Sequence, residues 1–171
     1  MTDEVIIRPL FEADVVQYRE MRLEALRLEP TAFASDYEST LSQPLDFFKL
    51  RLTQNQHRFV LGAFVGEVLL GNIGFHREER SKMAHRGTIW GVYVRPAYRG
   101  RGIARKLLEE VIGRAGGVEG LEQLHLIVAD NNLAAKKLYT SLGFKSYGLE
   151  PRALKIGPDY FDDLLMVYFL H

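Results

Sequence analysis

An apolar strand, a glycine-containing turn and the start of a helix follow one another in the stretch Val92-Tyr93-Val94-Arg95-Pro96-Ala97-Tyr98-Arg99-Gly100-Arg101-Gly102-Ile103-Ala104. Pro96 has no N–H group to donate to a neighbouring strand, so it predicts the end of the strand. Gly100 and Gly102 allow the backbone to approach a ligand closely, and the free N–H groups of the following helix point towards it. Because the start of a helix favours phosphate, the stretch predicts an anion-binding turn.

The spacing of the turn narrows the choice of phosphate-bearing ligand. The turn and the start of the helix carry four cationic side chains, which suit a diphosphate: Arg99, Arg101, Arg105 and Lys106. The sequence contains no P-loop, and Arg105 stands where a dinucleotide fingerprint requires its third glycine. The pattern Arg99-x-x-Gly102-x-Ala104 instead resembles the acetyl-CoA signature of the GCN5-related N-acetyltransferase (GNAT) superfamily.

A second motif follows an apolar strand predicted over residues 124–128. It reads Asn132-x-x-Ala135-x-x-Leu138-Tyr139-x-x-x-Gly143-Phe144 and resembles the second GNAT signature, at the expected distance from the first. The resemblance covers residues 5 to 170. It implies a single α+β domain over residues 1–171, with a mixed, mostly antiparallel seven-stranded sheet and helices on both faces.

The rest of the chain supplies the elements that such a fold needs. Gly66-Glu67 predicts a two-residue hairpin turn, and the strand–helix–strand passage from Val92 to Val128 predicts two parallel strands. Residues 30–44 predict a loop, whose Phe33 and Tyr37 either line a pocket or cover the core. The predicted strands are 5–7, 58–65, 68–76, 88–94, 124–128, 145–149 and 162–170, with helices over 13–28, 45–53, from Ile103 to Gly116-Gly117, and through the second motif.

Composition limits the classes of protein and site. The 171 residues are 47% hydrophobic, enough for one well-packed domain, and the 22 basic and 22 acidic side chains balance. This balance argues against nucleic acid or an anionic membrane as a partner. The absence of cysteine excludes a disulfide, a cysteine metal site and a thiol nucleophile. The acidic start and the lack of a long apolar run favour a cytoplasmic protein without a membrane span.

The resemblance implies that acetyl-CoA is the co-substrate, with no metal. The backbone of Val92–Val94 would hold the pantetheine arm, the amides of Gly100–Arg105 the pyrophosphate, and Asn132 the arm's other side. The implied cofactor residues are Val92, Tyr93, Val94, Arg99, Gly100, Arg101, Gly102, Ile103, Ala104, Arg105 and Asn132. Tyr139 would protonate the leaving thiolate while a primary amine attacks the thioester directly.

The sequence leaves the base, the acceptor and the oligomeric state open. Some family members carry a glutamate on the strand before the turn, but Thr88 stands near that place; His76, His85, His125 and water remain candidate bases. Acidic groups between Glu150 and Asp163, together with Tyr160, would suit a cationic amine if they approach the cleft. A non-catalytic acyl-CoA-binding module is the alternative function, and a homodimer is compatible with either.

Overall fold

A computed structural model describes residues 3–171, in which seven strands form one sheet. The strands lie in the order β1-β2-β3-β4-β5-β7-β6, and each neighbouring pair is antiparallel except β4–β5. This parallel pair confirms the predicted crossover through a helix. The strand bounds are β1 Ile6–Pro9, β2 Arg58–Val65, β3 Val68–Arg77, β4 Arg86–Val94, β5 Gln123–Ala129, β6 Lys145–Ile156 and β7 Asp159–Phe169.

Five α-helices cover the two faces of the sheet within residues 3–171. They are α1 Val15–Leu28, α2 Tyr37–Leu41, α3 Leu45–Arg51, α4 Ile103–Gly116 and α5 Leu133–Leu142. The apolar faces of α4 and α5 form the larger core with one side of the sheet. On the other side, α1 and α3 pack against β2, β3 and β4. The predicted α+β architecture, with helices on both faces of a mixed seven-stranded sheet, is therefore confirmed.

The two helices that follow the motifs begin and end where their sequences indicate. In α4, Leu107, Leu108, Val111 and Ala115 lie on one stripe and are fully buried. The Asn132 side-chain oxygen accepts a hydrogen bond of 3.1 Å from the Ala135 N–H group and so caps the start of α5. Gly143 ends α5 with a φ of 110°, a left-handed conformation that favours glycine.

The last two strands are longer than the sequence predicts. They extend to Ile156 and back from Asp159, so that residues 150–163 form a hairpin rather than an open loop, and its turn lies at Gly157-Pro158. Arg152 adopts a φ of 51° within an irregularity of the pairing, and its N–H group donates to Asp162 at 2.7 Å. This bulge disrupts the alternation of side chains from which strands are predicted.

The segment predicted as a loop over residues 30–44 also contains a helix that the sequence reading missed. The Asp36 carboxylate accepts a hydrogen bond of 2.9 Å from the Ser39 N–H group, which caps α2 at its start. Asp36 was an available signal, because aspartate is a favoured N-cap residue. Phe33 and Tyr37 have different positions in the structure: Phe33 lines the cavity described below, and Tyr37 does not.

A bulge in β4 shapes the centre of the sheet. Tyr93 pairs with Asn72 and Trp90 with Gly74, so Ile73 of β3 faces two residues of β4. Gly91 occupies the bulge with a φ of 64°, which a residue with a β-carbon adopts only with strain. The bulge redirects β4 just before the predicted binding turn.

Candidate functional site

The two parallel strands separate and leave a cleft between them. β4 and β5 pair at Arg86–Gln123, Gly87–Leu124 and Thr88–His125, and beyond these pairs they diverge. The cleft contains a cavity of about 370 Å³, which both strands line together with the start of α4, the start and middle of α5, and residues that follow α1. Eleven of the twelve predicted site residues line this cavity, and the exception is Arg101.

The open edge of β4 presents backbone groups to the cleft. The Arg95 N–H group donates to the Leu70 carbonyl oxygen at 2.9 Å, on the β3 side. Because backbone groups of successive strand residues point to opposite edges, the Val94 N–H group points towards the cleft. The side chain of Tyr93 is turned away to α1, where its hydroxyl donates to Glu24 at 2.9 Å.

The glycine turn has the conformation that its sequence predicts. Gly100 and Gly102 have φ values of 75° and 77°, and the position of a β-carbon on either residue has open space around it. The first helical hydrogen bond of α4 runs from the Lys106 N–H group to the Gly102 carbonyl oxygen and is 3.1 Å long. The N–H groups of Ile103, Ala104 and Arg105 therefore make no hydrogen bond within the helix, and these residues line the cavity.

Three arginines of the turn have different surroundings. Arg99 forms an ion pair of 2.6 Å with Glu29 and donates from Nε to the Val94 carbonyl oxygen at 2.8 Å, so its guanidinium bridges α1 to β4. Arg101 lies over the Tyr98 ring at 5.5 Å and outside the cavity lining. The Arg105 guanidinium donates to the Ser141 hydroxyl at 2.5 Å, which joins α4 to α5.

Tyr139 lies on α5 and is 6% exposed, with its ring edge against Phe144. Burial raises the pKa of the Tyr139 phenol, and the Glu29 carboxylate raises it further. The phenol therefore stays protonated at neutral pH. Asn132 lines the same cavity, and because its oxygen caps α5, its amide nitrogen remains available to a ligand.

Glu29 is a cavity residue that the sequence analysis did not identify. It follows the end of α1, and it is the acidic side chain among the lining residues within the described part of the chain. Glu29 reaches the cavity from a helix end that is far away in the sequence from both strands of the cleft. In the sequence, Glu29 is a polar residue directly before Pro30, and nothing around it indicates that it lines a cavity.

The three histidines proposed as bases lie outside the lining of this cavity in residues 3–171. His76 is 3.7 Å from Glu78 on another part of the surface, and His85 lies at the end of the loop that precedes β4. His125 sits where β4 and β5 still pair, and its ring contacts Tyr147 at 3.3 Å and Gln123 at 3.0 Å. None of the three is placed to contact a ligand of the cleft directly.

The acidic hairpin contributes no residue to the cavity lining, although Asp163 pairs with Ala129, which lines the cavity. Asp162 accepts the Arg152 N–H group, and the Tyr160 ring lies 4.8 Å from the Arg152 guanidinium. Burial raises the pKa of Asp163, as do the nearby Glu150 and Asp162 carboxylates. These groups interact with one another, and none of their side chains belongs to the cavity lining.

No helix in residues 3–171 combines the length and apolar composition needed to cross a bilayer. The same residues contain no group of three or more histidine, aspartate or glutamate side chains arranged to hold a metal ion.

Comparison with known proteins gives a family and a fold. The model of the acetyltransferase (GNAT) family matches residues 20–144. The N-alpha-acetyltransferase RimI of Mycobacterium tuberculosis is 39% identical over 101 residues, which are 58% of this chain and 60% of RimI. An uncharacterized protein of Mycobacterium leprae, ML0378, is 35% identical over 98 residues, which are 57% of this chain and 26% of that protein. The matches thus span less than two thirds of either relative.

Solved structures share the whole architecture at low sequence identity. A GNAT-family acetyltransferase from Streptococcus pneumoniae superposes with a TM-score of 0.87 at 23% identity, over 97% of this chain and 99% of that one. YncA, a putative acetyltransferase from Salmonella typhimurium solved with acetyl-CoA, superposes with a TM-score of 0.81 at 24% identity, over 98% and 95%. The family model covers most of the sequence and the fold agrees along its length, so the chain belongs to the GNAT acetyltransferase family.

Proposed function

We propose that the protein transfers the acetyl group of acetyl-CoA to a primary amine in the cleft between β4 and β5. The observation that carries this proposal is the continuity of the cleft: an open strand edge leads to a left-handed glycine turn and the free N–H groups of α4, with a buried phenol beside it. An extended pantetheine arm can bond to a strand edge, and a diphosphate is stabilised at a helix start.

The roles of individual residues follow from this arrangement. The amides from Gly100 to Arg105 would hold the pyrophosphate, with Arg105 beside them and Arg101 closer to solvent. Backbone groups of Val92 and Val94 would bond to the arm, and the free amide nitrogen of Asn132 would contact it from the β5 side. Arg99 fixes the end of β4 through Glu29 and the Val94 carbonyl oxygen, and reaches phosphate only if it exchanges one of these contacts.

The transfer itself requires three protein contributions. The amine nitrogen attacks the thioester carbon, and the Val94 N–H group stabilises the developing oxyanion without reorganisation. The carbon–sulfur bond then breaks, and the thiolate takes the phenolic proton of Tyr139. A free thiol has a pKa of about 8.5 and an ordinary phenol about 10, so the shared buried site must favour the proton transfer.

The attacking amine must lose its proton, since an alkyl ammonium has a pKa near 10.4 in water. We propose that Glu29 accepts this proton, directly or through a water molecule, because it lines the cavity and lies close enough to Tyr139 to affect the pKa of that phenol. Its ion pair with Arg99 fixes the position of the carboxylate at the cavity.

Replacing Glu29 with glutamine is expected to lower kcat/KM for the amine by about 10- to 100-fold, at the lower end of the effect of general bases because water can partly substitute. The affinity for CoA should change by less than tenfold. Glu24→Gln is the matched control, since Glu24 lies in the last part of α1, close in sequence to Glu29, and also pairs with an arginine, Arg95, but lies outside the cavity lining. An unchanged kcat/KM in Glu29→Gln would exclude Glu29 and leave water as the acceptor of the proton.

Thiol release from acetyl-CoA in the presence of pooled amines tests the proposed function. Release that depends on the amine supports a transferase. A protein that binds CoA with ordinary affinity and releases no thiol with any amine would instead be the non-catalytic acyl-CoA-binding module.

A further inference from the structure

A second cavity, of about 1000 Å³, lies next to the cleft, and residues of α1, α3 and β2–β4 contribute to its lining. Five arginines line it, against two glutamates, and Trp90 belongs to the lining of both cavities. Of the glutamates, Glu78 is already engaged by the Thr88 hydroxyl at 3.2 Å and lies 3.7 Å from His76. The arginines are Arg22, Arg51, Arg58, Arg77 and Arg80.

Arg22 is the most unusual of these cations. It lies on α1 and is only 8% exposed, yet within residues 3–171 no carboxylate pairs with it. Its Nε–H group is buried without a hydrogen-bond partner, and its contact with the Ser35 hydroxyl is a long 3.4 Å. A buried and uncompensated guanidinium is costly, so the site has a strong preference for an anion.

A second guanidinium adds to this preference. Arg51, at the end of α3, lies over the Trp90 ring at 5.5 Å and also has no carboxylate partner in the described residues. Both guanidinium groups belong to the lining of the second cavity. Burial lowers the pKa of Arg22, and the nearby charge of Arg51 also acts to lower it. The buried hydroxyl of Tyr18 lies close to both guanidinium groups and is a neutral neighbour. Two cations thus share this region without a carboxylate to compensate them in the described residues.

This cluster adjoins the site of transfer. An Arg22 guanidinium nitrogen, Nη1, is 3.7 Å from the position of a β-carbon on Gly91, and the guanidinium lies 4.9 Å from the Phe33 ring. Gly91 and Phe33 both line the cleft cavity. Val94, whose N–H group would hold the oxyanion, is three residues further along β4, which is about 10 Å at the rise of an extended strand.

We propose that Arg22 and Arg51 form an anion subsite that binds the carboxylate of the acceptor, and that the acceptor is a small amino acid-like amine. This inference rests on the proposed function. Because about 10 Å of strand separates Val94 from Gly91, which lies beside Arg22, an acceptor that reaches both places carries its amine and its anionic group on one short skeleton. Arginine is suited to this task because its planar fork binds both oxygens of a carboxylate.

A fluorescence titration tests the subsite without turnover, because Trp90 is the single tryptophan of the chain and lies at the junction of the two cavities. The probes are the N-acetyl derivatives of the common amino acids, as products of the proposed transfer, and their uncharged amides. At least one acid is expected to change the Trp90 emission saturably, with an affinity at least tenfold higher than that of its amide.

Variants then assign the effect to the two arginines. Arg51→Gln and the conservative Arg22→Lys are expected to weaken binding of the acid about tenfold or more and to leave binding of the amide unchanged. Arg27→Gln is the matched control, since Arg27 is exposed on the same helix. Circular dichroism and CoA affinity verify that each variant is folded.

The outcomes separate the subsite from the proposed function. Equal binding of acids and amides, or no effect of any acid on Trp90, overturns the subsite even if amines are acetylated. Acetylation of peptides with no binding of any amino acid derivative also overturns it and makes a peptide N-terminus the acceptor. Binding of an acid that depends on both arginines, without turnover of any amine, supports the subsite and contradicts the transferase.

Discussion

Replacing Tyr139 with phenylalanine is expected to lower kcat by about 10²- to 10⁴-fold, the usual contribution of a positioned general acid. The ring would keep its contact with Phe144, so the fold should be preserved. The hydroxyl is needed only when the carbon–sulfur bond breaks, and the affinity for CoA should therefore change by less than about tenfold. Steady-state kinetics together with a CoA titration measure both quantities.

Tyr168→Phe is the matched control for this substitution. Tyr168 packs against the other side of Phe144, with ring centres 5.3 Å apart, but it lies outside the cavity lining. Loss of its hydroxyl should leave kcat within a few-fold. If Tyr139→Phe also keeps its kcat while chemistry limits the rate, water or the substrate must protonate the thiolate.

The pKa of Tyr139 adds a condition on pH. Because burial and then Glu29 raise this pKa, the acid form persists above the pH at which an ordinary tyrosine ionises, about 10. Ionisation of Tyr139 should therefore cause no loss of activity as the pH rises to that value. A fall in activity below it would have to come from another group.

Gly102→Val is expected to weaken CoA binding by about 100-fold or more. Valine at a φ of 77° is strained, and its branched side chain would occupy the open space through which a phosphate approaches the amides of α4. Arg101→Ala should weaken binding much less, because Arg101 is exposed at the rim and its charge is screened. Isothermal titration with CoA compares the two.

Gly113→Val controls for the cost of valine in the same helix. Gly113 is within α4, exposed, and has open space around a β-carbon. This variant should be less stable but should bind CoA normally. Greater damage from Arg101→Ala than from Gly102→Val would show that side-chain charge, rather than the backbone amides, dominates phosphate binding.

The sequence predicted the parts of the fold that local chemistry determines. Pro96, Gly100 and Gly102 marked the end of β4 and the start of α4, and both required left-handed glycines are present. The hairpin around Gly66-Glu67 and the amphipathic pattern of α4 were equally local. The bulge at Gly91 was missed because a single glycine in a strand carries no unique signal, and Arg152 disrupted the alternation on which prediction of β6 depends.

The missing parts of the site depend on tertiary packing. Glu29 reaches the cavity because it follows α1, which packs on the sheet, and Arg22 shares a cavity with Arg51 because α1 packs beside α3. Neither position belongs to a motif. Arg22 and Arg51 are 29 residues apart in the sequence, and Glu29 and its partner Arg99 are 70 residues apart, so no local pattern links either pair. The residues on the cofactor side of the cleft could therefore be predicted from the sequence, whereas those on the acceptor side were identified only in the structure.

Transfer of a labelled acetyl group tests the central claim most directly. Acetyl-CoA labelled in the acetyl group is incubated with the protein and the panel of amino acids, and the label and free thiol are quantified. We expect label on the nitrogen of an amino acid, one equivalent of thiol for each acetyl group, and loss of both in Tyr139→Phe. Label that remains on CoA, or that appears only as acetate at a rate independent of every amine, would contradict an N-acetyltransferase.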